Sequence, residues 1–308
     1  MWNNVRLIFV VVCCVAIHSV SHSQTPFAID SNYVLVFADE FNYSNDKKVD
    51  SLSVSWDSSF PWNQFSTLRT CDNDHDGIRD SLPVDSIAYR THDFRNCALK
   101  SGLLSITSKR EDYIGEVWDN WKCDKFDSLN NCEKYSPIIT KHLFHYTTGM
   151  LRSKRTFKYG YFEIRCKISQ SADSVSYKGL GSNFWLYSSS DDCAWSEIDV
   201  FETAGEQWGT LNKVTMNVHY QKSNACEGCE NKDIEHVESY KNLGTQPIGD
   251  FHTYAVDWTP DSLTFYLDGK QVHASYNNPD KLIEMPMVID INHPTVNYCV
   301  HLDKNTSF

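Results

Sequence analysis

The sequence predicts an all-β fold, a sandwich or barrel of many short strands. Three observations carry this. Apolar or alternating runs of five to nine residues recur along the chain, rich in β-branched and aromatic residues. Turn residues bound them, as at Asp268-Gly269. Long stretches of helical period are absent.

Residues 1–23 precede the domain. Arg6 is followed by an apolar run from Leu7 to Ile17 and then by Ser19, Ser21 and Ser23. The pattern is that of a secretory signal peptide, too short to span a membrane and remain there. Residues 24–308 then read as one secreted or periplasmic domain. Eleven Cys fall to nine once Cys13 and Cys14 leave, and export favours disulfides. Proximity in sequence pairs Cys71 with Cys97 and Cys123 with Cys132. The odd count leaves at least one thiol free. Cys226-Glu-Gly-Cys229 reads as a tight disulfide or two loop cysteines in preference to half a zinc site.

Tyr33 to Phe37 is the first strand of the domain, running into Asp39-Glu40-Phe41-Asn42. Ser51 to Asn96 looks inserted. It places Asp72, Asp74, Asp76 and Asp80 at positions one, three, five and nine around Gly77, the spacing of a calcium loop, although Pro83 holds the twelfth position. A structural calcium ion and a solvated acidic turn both fit. A strand follows at Gly102 to Thr107, and then a second insertion, Glu111 to His145, carrying Trp118, Trp121, Cys123 and Cys132. It reads as a loop at a cleft edge, its Trp pair either facing ligand or anchoring the loop.

Further strands are expected at Gly160 to Ile168 and Ser182 to Tyr187. In the latter, Trp185 and Tyr187 alternate with Phe184 and Leu186, giving one aromatic face to a cleft and one to the core. The run Ser196 to Glu202 is the most informative. Glu197 and Asp199 share a face about 6.5–7 Å apart, while Glu202 has the wrong parity. One β-bulge at Val200-Phe201 brings it back. Like charges so close cannot all ionise cheaply, so at least one pKa must rise, and two carboxyls of separated pKa are what glycosidic-bond cleavage needs. A solvated acidic strand or a calcium site is the alternative. Trp195 shares a face with Glu197. On the next strand, Val214 to Tyr220, Asn217 and His219 share a face; His219 is placed to assist Glu202, to bind sugar, or to serve as a satisfied wall histidine. His252 to Trp258, Leu263 to Leu267 and Met287 to Asn292 complete the set.

The formal net charge of −12 makes nucleic acid and anionic membranes poor partners, and mildly disfavours heavily sulfated polymers. Aromatics are 13% of the chain, with nine Trp, which suits stacking on neutral sugar rings. A monomer with a polysaccharide substrate, no membrane insertion and no catalytic cofactor is expected.

Six segments in order resemble glycoside hydrolase family 16, the laminarinases, lichenases, agarases and κ-carrageenases. They are Phe37 to Asn42, Thr148 to Lys154, Tyr159 to Arg165, Asn183 to Leu186, Glu197 to Glu202, and Phe251 to Asp261 leading into Phe265 to Lys270. The resemblance runs from Phe37 to about Asn292. It implies a concanavalin A-like β-jelly-roll with a substrate cleft on its concave face, and endo-acting, retaining hydrolysis. Glu197 becomes the nucleophile, Glu202 the acid/base, and Asp199 the group that shares a proton with Glu197. The bulged spacing is that of the laminarinase, agarase and carrageenase types. Trp195, Trp185, Tyr187, His219 and Asn292 become cleft residues, and Glu163 with Arg165 are expected to contact sugar hydroxyls. Two departures stand out. His293-Pro294 stands where several relatives have an aromatic after the cleft asparagine, and the sequence stops at Phe308 without the family's last strand, so that either the sequence is truncated or the sheet has an open edge, the family's calcium site then lacking a ligand. A β-1,3-glucan is the expected substrate; a galactan hydrolase (agar, porphyran or carrageenan), a transglycosylase and a non-catalytic sugar-binding protein are the alternatives.

Overall fold

The computed structural model describes residues 6–12, 33–43, 49–59, 66–67, 88–129, 132–168, 181–189, 195–203, 213–221, 234–242, 251–275 and 282–292. The early strands are β1 (Arg6–Val12), β2 (Tyr33–Asp39), β3 (Trp56–Asp57), β4 (Ser66–Thr67), β5 (Tyr89–Arg90), β6 (Cys97–Lys100) and β7 (Leu103–Ile106). Then come β8 (Lys109–Phe126), β9 (Cys132–Thr148), β10 (Met150–Phe157), β11 (Gly160–Lys167), β12 (Gly181–Ser189) and β13 (Trp195–Glu202). The last six are β14 (Lys213–Gln221), β15 (Ile234–Asn242), β16 (Phe251–Trp258), β17 (Leu263–Leu267), β18 (Lys270–Ser275) and β19 (Met285–Asn292).

Two sheets face each other. One runs β15-β14-β13-β12-β19-β10-β3, the other β18-β17-β16-β11-β1-β2. Alternation along each strand builds the core between them. Phe184 and Leu186 of β12, Leu151 of β10 and Val218 of β14 turn inward to meet Phe162 and Ile164 of β11 and Val256 of β16. The rings of Phe201 and Tyr254 span the interface at 4.2 Å between centroids. This is the all-β jelly-roll sandwich that the strand pattern and the motifs lead one to expect.

The Asp39-Glu40-Phe41 segment is a buried polar knot. The Asp39 carboxylate accepts from the Phe41 backbone N–H (2.9 Å), the Tyr43 hydroxyl (2.5 Å) and the Trp56 indole N–H (2.8 Å). Satisfying three donors at once makes a buried carboxylate tolerable. It also fixes Trp56, and so sets β3 against β10.

Three expectations need revising. Glu163 and Arg165 are not beside the cleft sheet: β11 belongs to the other sheet, Phe162 and Ile164 take its core-facing positions, and alternation puts Glu163 and Arg165 on the outer side. There Glu163 accepts from the Tyr161 hydroxyl at 2.9 Å, and the Arg165 guanidinium lies 4.7 Å from the centre of the Phe251 ring. The segment from Glu111 to His145 is not a loop but most of a two-stranded ribbon, β8 against β9. Its base has one covered face, where Tyr113 and Phe144 meet Tyr89, and one wet face, where the cross-strand pairs Ile114 with Leu143 and Glu116 with Lys141 lie. Cys97 is a buried free thiol, its pKa pushed up to about 12 by burial, so it does not pair with Cys71. Cys123 is disulfide-bonded, while the side chain of Cys132 lies outside the described residues. Arg6–Val12, within the stretch expected to be a signal peptide, pairs as β1 in parallel with β2 on one side and β11 on the other. An apolar, β-branched run has strand propensity as well as leader character.

Candidate active site

β13 carries the site. Ile198, Val200 and Phe201 all turn into the core, so two consecutive inward residues interrupt the alternation. The ladders show how. Against β12, Trp185 faces Asp199 while Phe184 faces Phe201; against β14, Asn217 faces Asp199 while Thr215 faces Glu202. β13 thus holds one residue more than either neighbour, a β-bulge at Val200. The bulge returns Glu202 to the face of Glu197 and Asp199.

β14 supplies polar partners. The Asn217 amide Nδ2 donates to Glu202 Oε2 at 3.0 Å, and His219 Nε2 lies 3.2 Å from Asp199 Oδ2. His219 therefore serves Asp199, where the sequence had left it a choice that included Glu202. Asp199 is 1% exposed. Burial pushes the Glu197 carboxyl well up, the adjacent Asp199 charge adds to this, and His219 works against it; Glu202 and a hydrogen bond with Asp199 raise it further. A buried acid next to a second acid holds one proton between the two, and titrates as a pair. Chemically, the face offers a carboxyl that can be switched between acid and nucleophile, and a second carboxyl held by an amide.

Aromatic and cationic groups extend this face. Trp185 packs with Met150 and Val288, and Tyr187 adds an edge-on contact at 5.9 Å between ring centroids. Successive ladders set Asp199, Trp185, Val288 and Arg152 opposite one another, from β13 across β12 and β19 to β10. Arg152 Nη2 donates to Asp57 Oδ2 and its Nε to the Ser59 carbonyl, both at 2.8 Å. Sequence reasoning missed Arg152 and Met150. Leu151 and Ser153 are fully buried, so the alternating positions of that motif, Met150 and Arg152, face the other way. Thr215 was missed too; it lies opposite Glu202, 1% exposed, with a hydroxyl that has no hydrogen-bond partner among the described residues.

Two expected cleft residues are placed by register alone. Trp195 pairs with Ser189 and Asn292 with Gly181, their side chains lying outside the described residues. Asp72, Asp74, Asp76 and Asp80 also lie outside them. Among the described residues, no group of three or more His, Cys, Asp or Glu could hold a metal ion, and no helix is long and apolar enough to cross a membrane.

The family model described as glycosyl hydrolases family 16 matches residues 114–293, more than half of the chain. The κ-carrageenase of Pseudoalteromonas carrageenovora is 28% identical over 192 residues, 59% of this chain and 43% of that protein. A β-glucanase of Acetivibrio thermocellus is 33% identical over 136 residues, 44% of this chain and 34% of that protein. The chain thus spans less than half the length of these two relatives. In three dimensions, the crystal structure of the same κ-carrageenase in complex with an oligotetrasaccharide of κ-carrageenan superposes with a TM-score of 0.51 at 22% identity, over 82% of this chain and 78% of that one. At that identity the likeness speaks to the fold.

Proposed function

The chain belongs to glycosyl hydrolases family 16, and from that premise we propose that it is an exported, retaining endo-β-glycanase. The observation that carries the proposal is the bulge at Val200, which gathers Glu197, Asp199 and Glu202 on one face. In a retaining mechanism one carboxylate attacks the anomeric carbon while a second, close by, protonates the leaving oxygen. Glu197 is the attacking group. It must be ionised to attack, so the proton of the pair moves to Asp199 as substrate binds, leaving Glu197 charged in a buried setting. Glu202 protonates the leaving oxygen, then removes a proton from the water that opens the glycosyl-enzyme. As the ester forms, Glu197 loses its charge and Asp199 can release the proton it held. Trp185 and Tyr187 form the floor on which sugar rings sit.

A β-1,3-glucan is the first substrate reading, supported by the net charge of −12 and by the aromatic content. A galactan hydrolase is the second. Two observations favour it: the similarity to a κ-carrageenase over 192 residues, and Arg152 in the same row as Trp185 and Asp199, a cation suited to an anionic sugar. Product formation from laminarin, mixed-linkage glucan, agarose, porphyran and κ-carrageenan, wild type beside Glu197→Gln, tests both. Oligosaccharides from laminarin that vanish in the variant support the first reading, and the same result with a galactan supports the second. Folded wild-type protein silent on all five, or a fully active Glu197→Gln, overturns the enzymatic reading in favour of sugar binding.

A further inference from the structure

We propose that Asn217 is the positioning residue that sets the proton affinity of Glu202 and decides which of its oxygens carries the proton. The inference rests on the reading of Glu202 as the acid/base. In the ladder, Asn217 stands opposite Asp199 and not opposite Glu202. Its amide nevertheless reaches Glu202, donating from Nδ2 to Oε2 at 3.0 Å. The bulge explains the reach: by inserting Val200 it tilts Glu202 back along β13 toward the residue two places from its own partner. Asn217 is itself buried, 7% exposed, so the bond is shielded from competing water.

An amide N–H bonds more strongly to a carboxylate than to a neutral acid, so it lowers the pKa of the group it touches. Glu202 sits among two other acids, whose charges act in the opposite sense. Without the amide, those charges would hold the proton on Glu202 too firmly for a group that must give it to a leaving oxygen and later take one back. The bond also selects an oxygen. Oε2 accepts from Asn217, so the proton is carried by Oε1 and given from there to the glycosidic bond. Asn217 touches no substrate in this scheme and works through Glu202 alone.

The test is a carboxyl titration that does not depend on turnover. Protein labelled with 13C at the glutamate δ carbon is titrated by NMR, with the Glu202 resonance assigned by its loss in Glu202→Gln. Asn217→Leu keeps the size and removes the donor; Asn217→Asp keeps the shape and replaces the donor with a charge. Glu202 is expected to titrate about one pH unit higher in the first and higher still in the second. Asn217→Asp serves alone if Asn217→Leu does not fold. On whichever polysaccharide the wild type cleaves, the alkaline limb of kcat/KM should move up in the same order, with KM within about twofold. A Glu202 titration unchanged in both variants overturns the inference even if their activity falls, because lost activity alone would mean only a structural role. Failure of the enzymatic reading shows separately, as a wild type inactive on all five polysaccharides; the titration still reads whether Asn217 governs Glu202.

Discussion

His219 stands opposite Glu197 in the β13–β14 ladder, yet its Nε2 lies 3.2 Å from the Oδ2 of Asp199. Asn217, opposite Asp199, is shifted the same way, onto Glu202. His219 and Asn217 therefore each serve the acid one step beyond their own partner. His219 bears on the shared proton of the Glu197–Asp199 pair, since its charge opposes the rise in the Glu197 pKa. Replacing it by leucine removes that opposition, so the pair should hold its proton to higher pH. Because attack needs an ionised Glu197, the acidic limb of kcat/KM should move upward, by roughly half a unit to one unit, with the alkaline limb in place. A pH–rate profile checks this.

The raised Glu197 pKa also has a consequence for stability. In the unfolded chain the carboxyl titrates at about 4.3; in the fold its affinity for the proton is higher. Between those values the folded state binds more protons than the unfolded one, so stability falls as pH rises. Below the unfolded value both states are protonated and nothing is lost. Glu197→Gln should therefore melt higher than wild type at pH 7, by roughly 3 °C, and at the same temperature near pH 4. Its hydrolytic rate should fall by about a thousandfold or more. Calorimetry at the two pH values and one activity assay suffice.

Much of this site was legible in the sequence because two periods decide it. Strand alternation put Trp185 and Tyr187 on one face and Phe184 and Leu186 on the other, and the parity of Glu202 demanded a bulge where β13 has one. What alternation does not reveal is which sheet a strand joins. Glu163 and Arg165 share a face, as expected, but β11 lies in the opposite sheet, and only long-range pairing decides that. Arg152 shows the converse: its motif was recognised, while its face became clear only once Leu151 was seen in the core. The ribbon of β8 and β9 was misread because its covering ring, Tyr89, comes from a distant segment and its polar composition hides the alternation.

The bulge itself can be removed. Deleting Val200 removes the extra residue, so that plain alternation keeps Asp199 outward, Phe201 inward opposite Phe184, and Glu202 outward opposite Thr215. The three carboxyls still share one face, while one inward side chain is lost. The deletion should cost about 2–3 kcal/mol, roughly 5–10 °C in Tm, and should keep measurable hydrolysis. Val200→Ala is the companion: it keeps the bulge, loses about 2 kcal/mol of packing, and should retain the wild-type kcat. Complete loss of activity in the deletion alone would mean that the geometry of the bulge, and not only the shared face, places Glu202.

The base of the ribbon makes a separate demand on Gly115. A Cβ built there would lie 2.3 Å from two atoms of the Tyr89 ring, closer than any real contact. Tyr89 cannot readily yield, because it is 4% exposed and stacks on Tyr113 at 4.9 Å while also meeting Phe144 at 5.1 Å. Gly115→Ala must therefore push the ring out of this cluster or bend β8 away from it, at a cost of about 1–3 kcal/mol. For a domain of this size that is a fall in Tm of roughly 3–10 °C. Shrinking the ring removes the conflict: in a Tyr89→Ala background, adding Gly115→Ala should cost less than about 0.5 kcal/mol. The double-mutant cycle thus isolates the ring–glycine contact, and a penalty for Gly115→Ala that persists without the ring would assign it to the backbone of β8 instead.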